Sequence, residues 1–178
     1  RWSSSFRTTT PIKDTSLFTM SYSPANICIT ALGISNGIFV GGHADSEHEP
    51  FHLRCKSDIL SIVFADMTVG FGGGRDGKIR LFDTRVAVGK HNWRRGLLAG
   101  KECRHSSSVH ALGMDGWRLA SASMNGQVFV WDIRMLGNKR YDSLCANSLS
   151  GPSTVTSPTR LGFAVTRGIV AAASPDNI

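Results

Sequence analysis

The chain of 178 residues is 41% hydrophobic and 19% charged, which is enough apolar content to bury a core and too much for a disordered segment. Its formal net charge of +7 is spread along the chain apart from one dense run, so charge alone does not define a nucleic-acid binder. No window reaches the roughly 18 consecutive apolar residues of a membrane helix, and the nineteen glycines beside β-forming residues point to short strands and tight turns.

The first stretch, RWSSSFRTTTP (Arg1 to Pro11), lacks the continuous apolar core of a signal peptide, and the chain reads as a piece of a longer one. Residues 1–26 are assigned as an N-terminal extension or the end of a preceding unit. From Thr30 to Asp45 the run TALGISNGIFVGGHAD reads as a strand, a turn and a second strand. Only 15 positions separate Asp45 from Leu60, where the next unit's first strand begins, against 33 between Asp76 and Val109. EPFHLRC (Glu49 to Cys55) therefore supplies a single strand, and residues 27–55 are expected to form a divergent or truncated unit.

The clearest signal is an internal repeat. A shift of 49 lays Lys56 to Arg85 on His105 to Arg134 without a gap, with Ser57 on Ser106, Asp66 on Asp115, Gly77 on Gly126, Asp83 on Asp132 and Arg85 on Arg134. Each copy predicts an alternating strand, a small-residue strand (VGFGGG, RLASAS), a tight Asp-Gly or Asn-Gly turn and another alternating strand ending in an aromatic-Asp pair. The turn dipeptide suits a hairpin with positive φ at both central positions. Units are placed at residues 56–104, which include a basic connecting loop, and at 105–155. A partial copy, RGIVAAASPDN (Arg167 to Asn177), falls on Gly116 to Gly126 at a shift of 51, which makes residues 156–178 the start of an incomplete unit.

These residues resemble the WD-repeat family, whose units of about 40–45 residues are blades of a β-propeller. The resemblance implies an all-β WD-repeat β-propeller, partial here at about three and a half blades. In that family a His, a Ser or Thr, the turn Asp and the Trp form a buried hydrogen-bonded network, which makes Asp76, Asp83, His105, Asn125, Trp131 and Asp132 the blade-structural residues. Asn125 in place of the Asp implies a neutral bond where the family has a charge-assisted one. In the preceding copy Lys56 stands where the His would and Phe82 where the Trp would, so Asp76 is expected to lack both partners and the blade to rely on packing.

The arginine two places after each blade Asp raises a separate question. LASASMNGQVFVWDIR (Leu119 to Arg134) resembles the motif of WD-repeat proteins that bind the damaged-DNA-binding protein 1 adaptor of cullin-4 ubiquitin ligases, and GFGGGRDGKIRLFDTR (Gly70 to Arg85) follows it less closely. The wider run from Ser57 to Val109 looks like the central blades of the cullin-4-associated factor 4 family. That resemblance implies a substrate receptor, with Arg85 and Arg134 side by side on the adaptor and an unknown substrate protein elsewhere on the ring. Planar multi-donor arginine suits such an anchor. Two other readings stand beside it: a WD-repeat scaffold for another assembly, with the arginines pairing to a neighbouring blade's carboxylate or facing water, and a basic protein that uses Lys90, Arg94 and Arg95 on nucleic acid.

No catalytic residues, cofactor or metal are expected. HExxH, GxSxG and the phosphate loop with its Lys-Ser/Thr are absent from the sequence. The run GGHADSEHEPFHLRC offers His43, His48, His52 and Cys55 beside Asp45, Glu47 and Glu49, at spacings that match no compact zinc framework. KHNWRR (Lys90 to Arg95) reads as a solvated loop, so neither nucleic acid nor membrane is the expected partner. Cys28, Cys55, Cys103 and Cys145 form no CxxC pair, which favours a reducing compartment, the nucleus or the cytoplasm.

Overall fold

A computed structural model describes residues 15–24, 29–42, 51–85, 97–98, 105–135, 146–150, 163–167 and 169–172. These residues are all-β, and the only helical element among them is a 3-10 turn at Ile133–Met135. No helix among them is long and apolar enough to cross a membrane.

The strands form four antiparallel sheets, each running through its strands in chain order. The first comprises β1 (Leu17–Tyr22), β2 (Ile29–Ile34), β3 (Gly37–Gly42) and β4 (Phe51–Arg54). The second comprises β5 (Ile59–Phe64), β6 (Val69–Gly74), β7 (Ile79–Asp83) and β8 (Leu97–Leu98). The third comprises β9 (Val109–Asp115), β10 (Arg118–Ser123), β11 (Gln127–Asp132) and β12 (Ala146–Ser150), and a last hairpin pairs β13 (Phe163–Thr166) with β14 (Ile169–Ala172). Successive sheets meet through their first strands: β1 lies against β5, β5 against β9, and β9 against β13.

The core lies between sheets. Ile29, Ile38, Leu53, Ile59, Phe64 and Phe82 fill the space between the first and second, and Phe71, Ile79, Val109, Leu119 and Trp131 that between the second and third. Each such side chain contributes about 1.5–3 kcal/mol by leaving water. The small-residue strands β6 and β10 are buried on both faces, as their composition predicts. Gly73 shows why: a Cβ there would stand 2.4 Å from Ser61 Oγ and 2.7 Å from Val109 Cγ1, so only glycine lets β9 approach.

Two expectations need correction. The first sheet is four-stranded and spans the expected boundary between residues 26 and 27, because LFTMSY pairs with β2 from Leu17↔Ile34 to Tyr22↔Thr30. TALGIS is thus the second strand of its sheet, with β1 in the position that β5 and β9 hold in theirs. The turns also differ. At Asp76-Gly77 and Asn125-Gly126 only the glycines have positive φ, 78° and 79°. The Gly77 N–H donates to the Gly74 carbonyl at 3.1 Å, and the Gly126 N–H to that of Ser123 at 3.0 Å. Each is a type I turn followed by a left-handed glycine, the three-residue hairpin loop, in which the Asp or Asn stays right-handed.

Candidate functional site

The two arginines close the third strands of neighbouring sheets, and their local geometry is the same. The Arg85 backbone N–H donates to Asp83 Oδ1 at 2.9 Å, its Nε to the same oxygen at 3.0 Å and its Nη2 to Oδ2 at 2.7 Å. The Arg134 backbone N–H donates to Asp132 Oδ1 at 3.0 Å, its Nε to the same oxygen at 2.9 Å, and its Nη2 to Oδ2. Each carboxylate therefore accepts a backbone turn and a bidentate fork at once. The Arg134 guanidinium holds the Asp132 carboxyl down at about 2, and Arg85 lowers Asp83 in the same way. Among the described residues neither arginine reaches across to another sheet's carboxylate: the partner is the aspartate of its own strand. Both side chains remain open to solvent, Arg85 at 68% and Arg134 at 59%.

The residue between Asp and Arg fastens each clamp to the sheet. The Thr84 N–H donates to the Thr68 carbonyl at 2.8 Å, and the Ile133 N–H donates to the Trp117 carbonyl at 2.9 Å. These bonds put the β5–β6 turn beside Arg85 and the β9–β10 turn beside Arg134. Met67 and Trp117, in those turns, are 55% and 62% exposed. Sequence reasoning missed both. A hydrophobic residue in a polar turn, outside the strand period, was the available signal.

Within the third sheet His105, Ser121 and Trp131 form a buried network. Ser121 Oγ accepts from Trp131 Nε1 at 2.8 Å and lies 2.7 Å from His105 Nε2. The His105 ring stacks on Phe129 with centroids 4.5 Å apart. Burial, reinforced by nearby His110, lowers the imidazole to about 4 and keeps it neutral at pH 7. The expected neutral bond from Asn125 to His105 is not made. Asn125 Nδ2 donates to Ser106 Oγ at 2.7 Å and its Oδ1 accepts from Ser123, leaving His105 Nδ1 buried without a partner. An amide carries both a donor and an acceptor, so it satisfies two flanking hydroxyls where a carboxylate would seek a donor.

In the second sheet Asp76 is not left without partners. Arg80 Nη1 donates to Asp76 Oδ1 at 2.9 Å and Nη2 to Oδ2 at 2.6 Å, and the Asp76 N–H donates to Ser57 Oγ at 3.1 Å. Partial burial pushes the Asp76 carboxyl up, but the Arg80 fork outweighs it and the net shift is downward. Arg80, itself buried, stands where the repeat places Phe129. An ion pair has thus replaced the stacked rings. Phe82 is fully buried and meets Phe64 edge-on at 5.5 Å, so packing carries the rest of this unit.

Lys90, Arg94, Arg95, His43, Asp45, His48, Glu47 and Glu49 lie outside the described residues. Of that loop, His52 and Cys55 are described. Burial lowers the His52 imidazole and raises the Cys55 thiol. Among the described residues no three metal-ligating side chains group together. No protein-family model matches the chain, and no curated protein matches it significantly.

Proposed function

We propose that the chain is part of a WD-repeat β-propeller that acts as a protein–protein interaction module. Three observations support this class: four-stranded meanders packed in series through their first strands, strand bounds that recur at the 49-residue shift in β6 and β10, and a buried His-Ser-Trp network of the kind the family carries. More particularly, the protein is a substrate receptor of a cullin-4 ubiquitin ligase, working in the nucleus or cytoplasm, with Arg85 and Arg134 on the damaged-DNA-binding protein 1 adaptor and a substrate protein on other surfaces.

The observation that carries the particular reading is the duplicated clamp. Two guanidinium groups are held rigidly by their own aspartates, yet both stay exposed at equivalent strand ends. A fork preorganised by its own aspartate and left exposed loses little side-chain entropy on meeting a partner. A scaffold for another assembly is the second reading, favoured by the fact that each clamp is already satisfied within its strand.

Co-precipitation of the adaptor with wild type and with the Arg85→Ala, Arg134→Ala double variant, alongside thermal melts of both, tests the proposal. Loss of the adaptor at an unchanged melting temperature is the expected result. Retention of the adaptor by the double variant sinks the receptor role for these residues, and a lowered melting temperature with an unchanged set of partners supports the scaffold.

A further inference from the structure

The clamps sit at equivalent third-strand ends of neighbouring sheets, each near an exposed apolar turn residue, and the chemistry of this edge specifies what it meets. Of the five N–H groups of a guanidinium, Arg134 uses its Nε–H and one on Nη2 for Asp132, which leaves three without a partner among the described residues, and Arg85 is placed identically on Asp83. Each guanidinium is paired with a carboxylate of its own strand, and the further charges beside the clamps are of opposite sign, Asp66 near Arg85 and Arg118 near Asp132. What faces outward is a planar donor array of mixed charge without a large excess of either sign. The turn bonded to each clamp carries an exposed apolar side chain: Trp117, whose carbonyl accepts from the Ile133 N–H next to Arg134, and Met67, one residue before Thr68, whose carbonyl accepts from the Thr84 N–H next to Arg85.

A surface of paired charges and apolar posts is poorly matched to phosphate, which needs uncompensated cations and their counterion release. It is well matched to a neutral protein segment with aliphatic or aromatic side chains and outward backbone carbonyls. Carbonyls accept the free N–H groups, and apolar side chains cover Met67 and Trp117. Trp and Arg are also each among the residue types enriched where interface energy concentrates.

Resting on the reading of this edge as the adaptor-binding one, we infer that Trp117 and Met67 are apolar anchors of the same interface, and that the edge takes an uncharged, apolar segment of the partner protein through its backbone carbonyls.

The test is a titration of the full chain with purified damaged-DNA-binding protein 1 adaptor, comparing wild type, W117A, M67A and R134K. W117A is expected to weaken binding at least about tenfold at an unchanged melting temperature, because Trp117 is mostly exposed. R134K keeps the charge and loses the planar fork, and is expected to weaken binding similarly. Affinity should change less than about threefold between about 50 and 200 mM salt, where a contact to several phosphates would lose about 1,000-fold. Adaptor binding that ignores W117A and M67A, or that falls steeply with salt, overturns this inference and leaves the receptor reading standing. A DNA duplex that competes with the adaptor for the edge also overturns it, in favour of nucleic acid. No adaptor binding by wild type overturns the receptor reading and this inference with it.

Discussion

Ser121 is a small residue whose replacement is expected to be costly. Its hydroxyl is fully buried and serves both Trp131 Nε1 and His105 Nε2. Ser121→Ala removes one oxygen and leaves two buried ring nitrogens unsatisfied, each costing about 1–3 kcal/mol. The sum, about 2–4 kcal/mol after some relaxation, is a large share of the roughly 5–15 kcal/mol that holds a domain folded. For a chain of this size it lowers the melting temperature by about 5–15 °C. The second sheet shows why the hydroxyl is present at all: the aligned position is Gly72, and there the Trp is replaced by Phe82, which has no N–H to satisfy. Urea unfolding of wild type, Ser121→Ala, Trp131→Phe and the double variant completes a cycle. Trp131→Phe should cost about 1 kcal/mol less in the Ser121→Ala background than alone, because the lost N–H no longer has an acceptor to lose. Strict additivity, or a Ser121→Ala effect below about 0.5 kcal/mol, refutes the network as drawn.

Acid should weaken the fold before the carboxylates titrate. His105 is held at about 4 in the folded chain against 6.5 unfolded, so between these values the unfolded state binds the proton that the folded state refuses, and stability falls as pH falls through that window. His110 and His52 are lowered too, also by burial, and add to the slope, whereas Asp76 and Asp132 are depressed below 3.8 and contribute only at lower pH. A urea midpoint that stays flat from pH 7 to pH 5 contradicts this. Arg80→Ala leaves Asp76 without its fork and should cost about 1–2 kcal/mol in urea unfolding, the pair being only partly buried; Asp76→Asn in the Arg80→Ala background should recover part of it. Gly77→Ala meets two obstacles, a φ of 78° and a Cβ that would lie 2.4 Å from the His105 carbonyl oxygen, so it should destabilise by more than about 1 kcal/mol, and an unchanged melt would contradict the turn geometry. Asp132→Asn leaves Arg134 in place but weakens the fork that orients it, and adaptor binding should drop several-fold with little change in the melt, a result read in the same titration as the arginine variants.

The sheet architecture was legible wherever the 49-residue repeat carried motifs. Small-residue strands, Asp-Gly and Asn-Gly turns and aromatic-Asp endings fix β6, β7, β10 and β11, because burial on both faces and turn chemistry leave few alternatives. β1 was not legible. LFTMSY carries none of the repeat's marks, and its place at the start of the first sheet depends on pairing with β2 and contact with β5, which are tertiary facts. The site divides the same way. Asp83, Asp132, Arg85 and Arg134 stood out by position, but the fork from each arginine to its own aspartate needs side-chain geometry. Arg80 was hidden because the repeat pairs it with Phe129, and one buried position accepts either a ring stacked on His105 or a cation paired with Asp76. Asn125 reads as a weakened Asp from sequence and turns out to serve the neighbouring serines instead.

Hydrogen–deuterium exchange of the full chain, alone and with the damaged-DNA-binding protein 1 adaptor, maps the proposed contact without altering a residue. New protection is expected in four separated stretches, around Met67, Arg85, Trp117 and Arg134, with little change in the buried strands β6 and β10 between them. Protection confined to other surfaces, with both clamps exchanging as in the free protein, would contradict it.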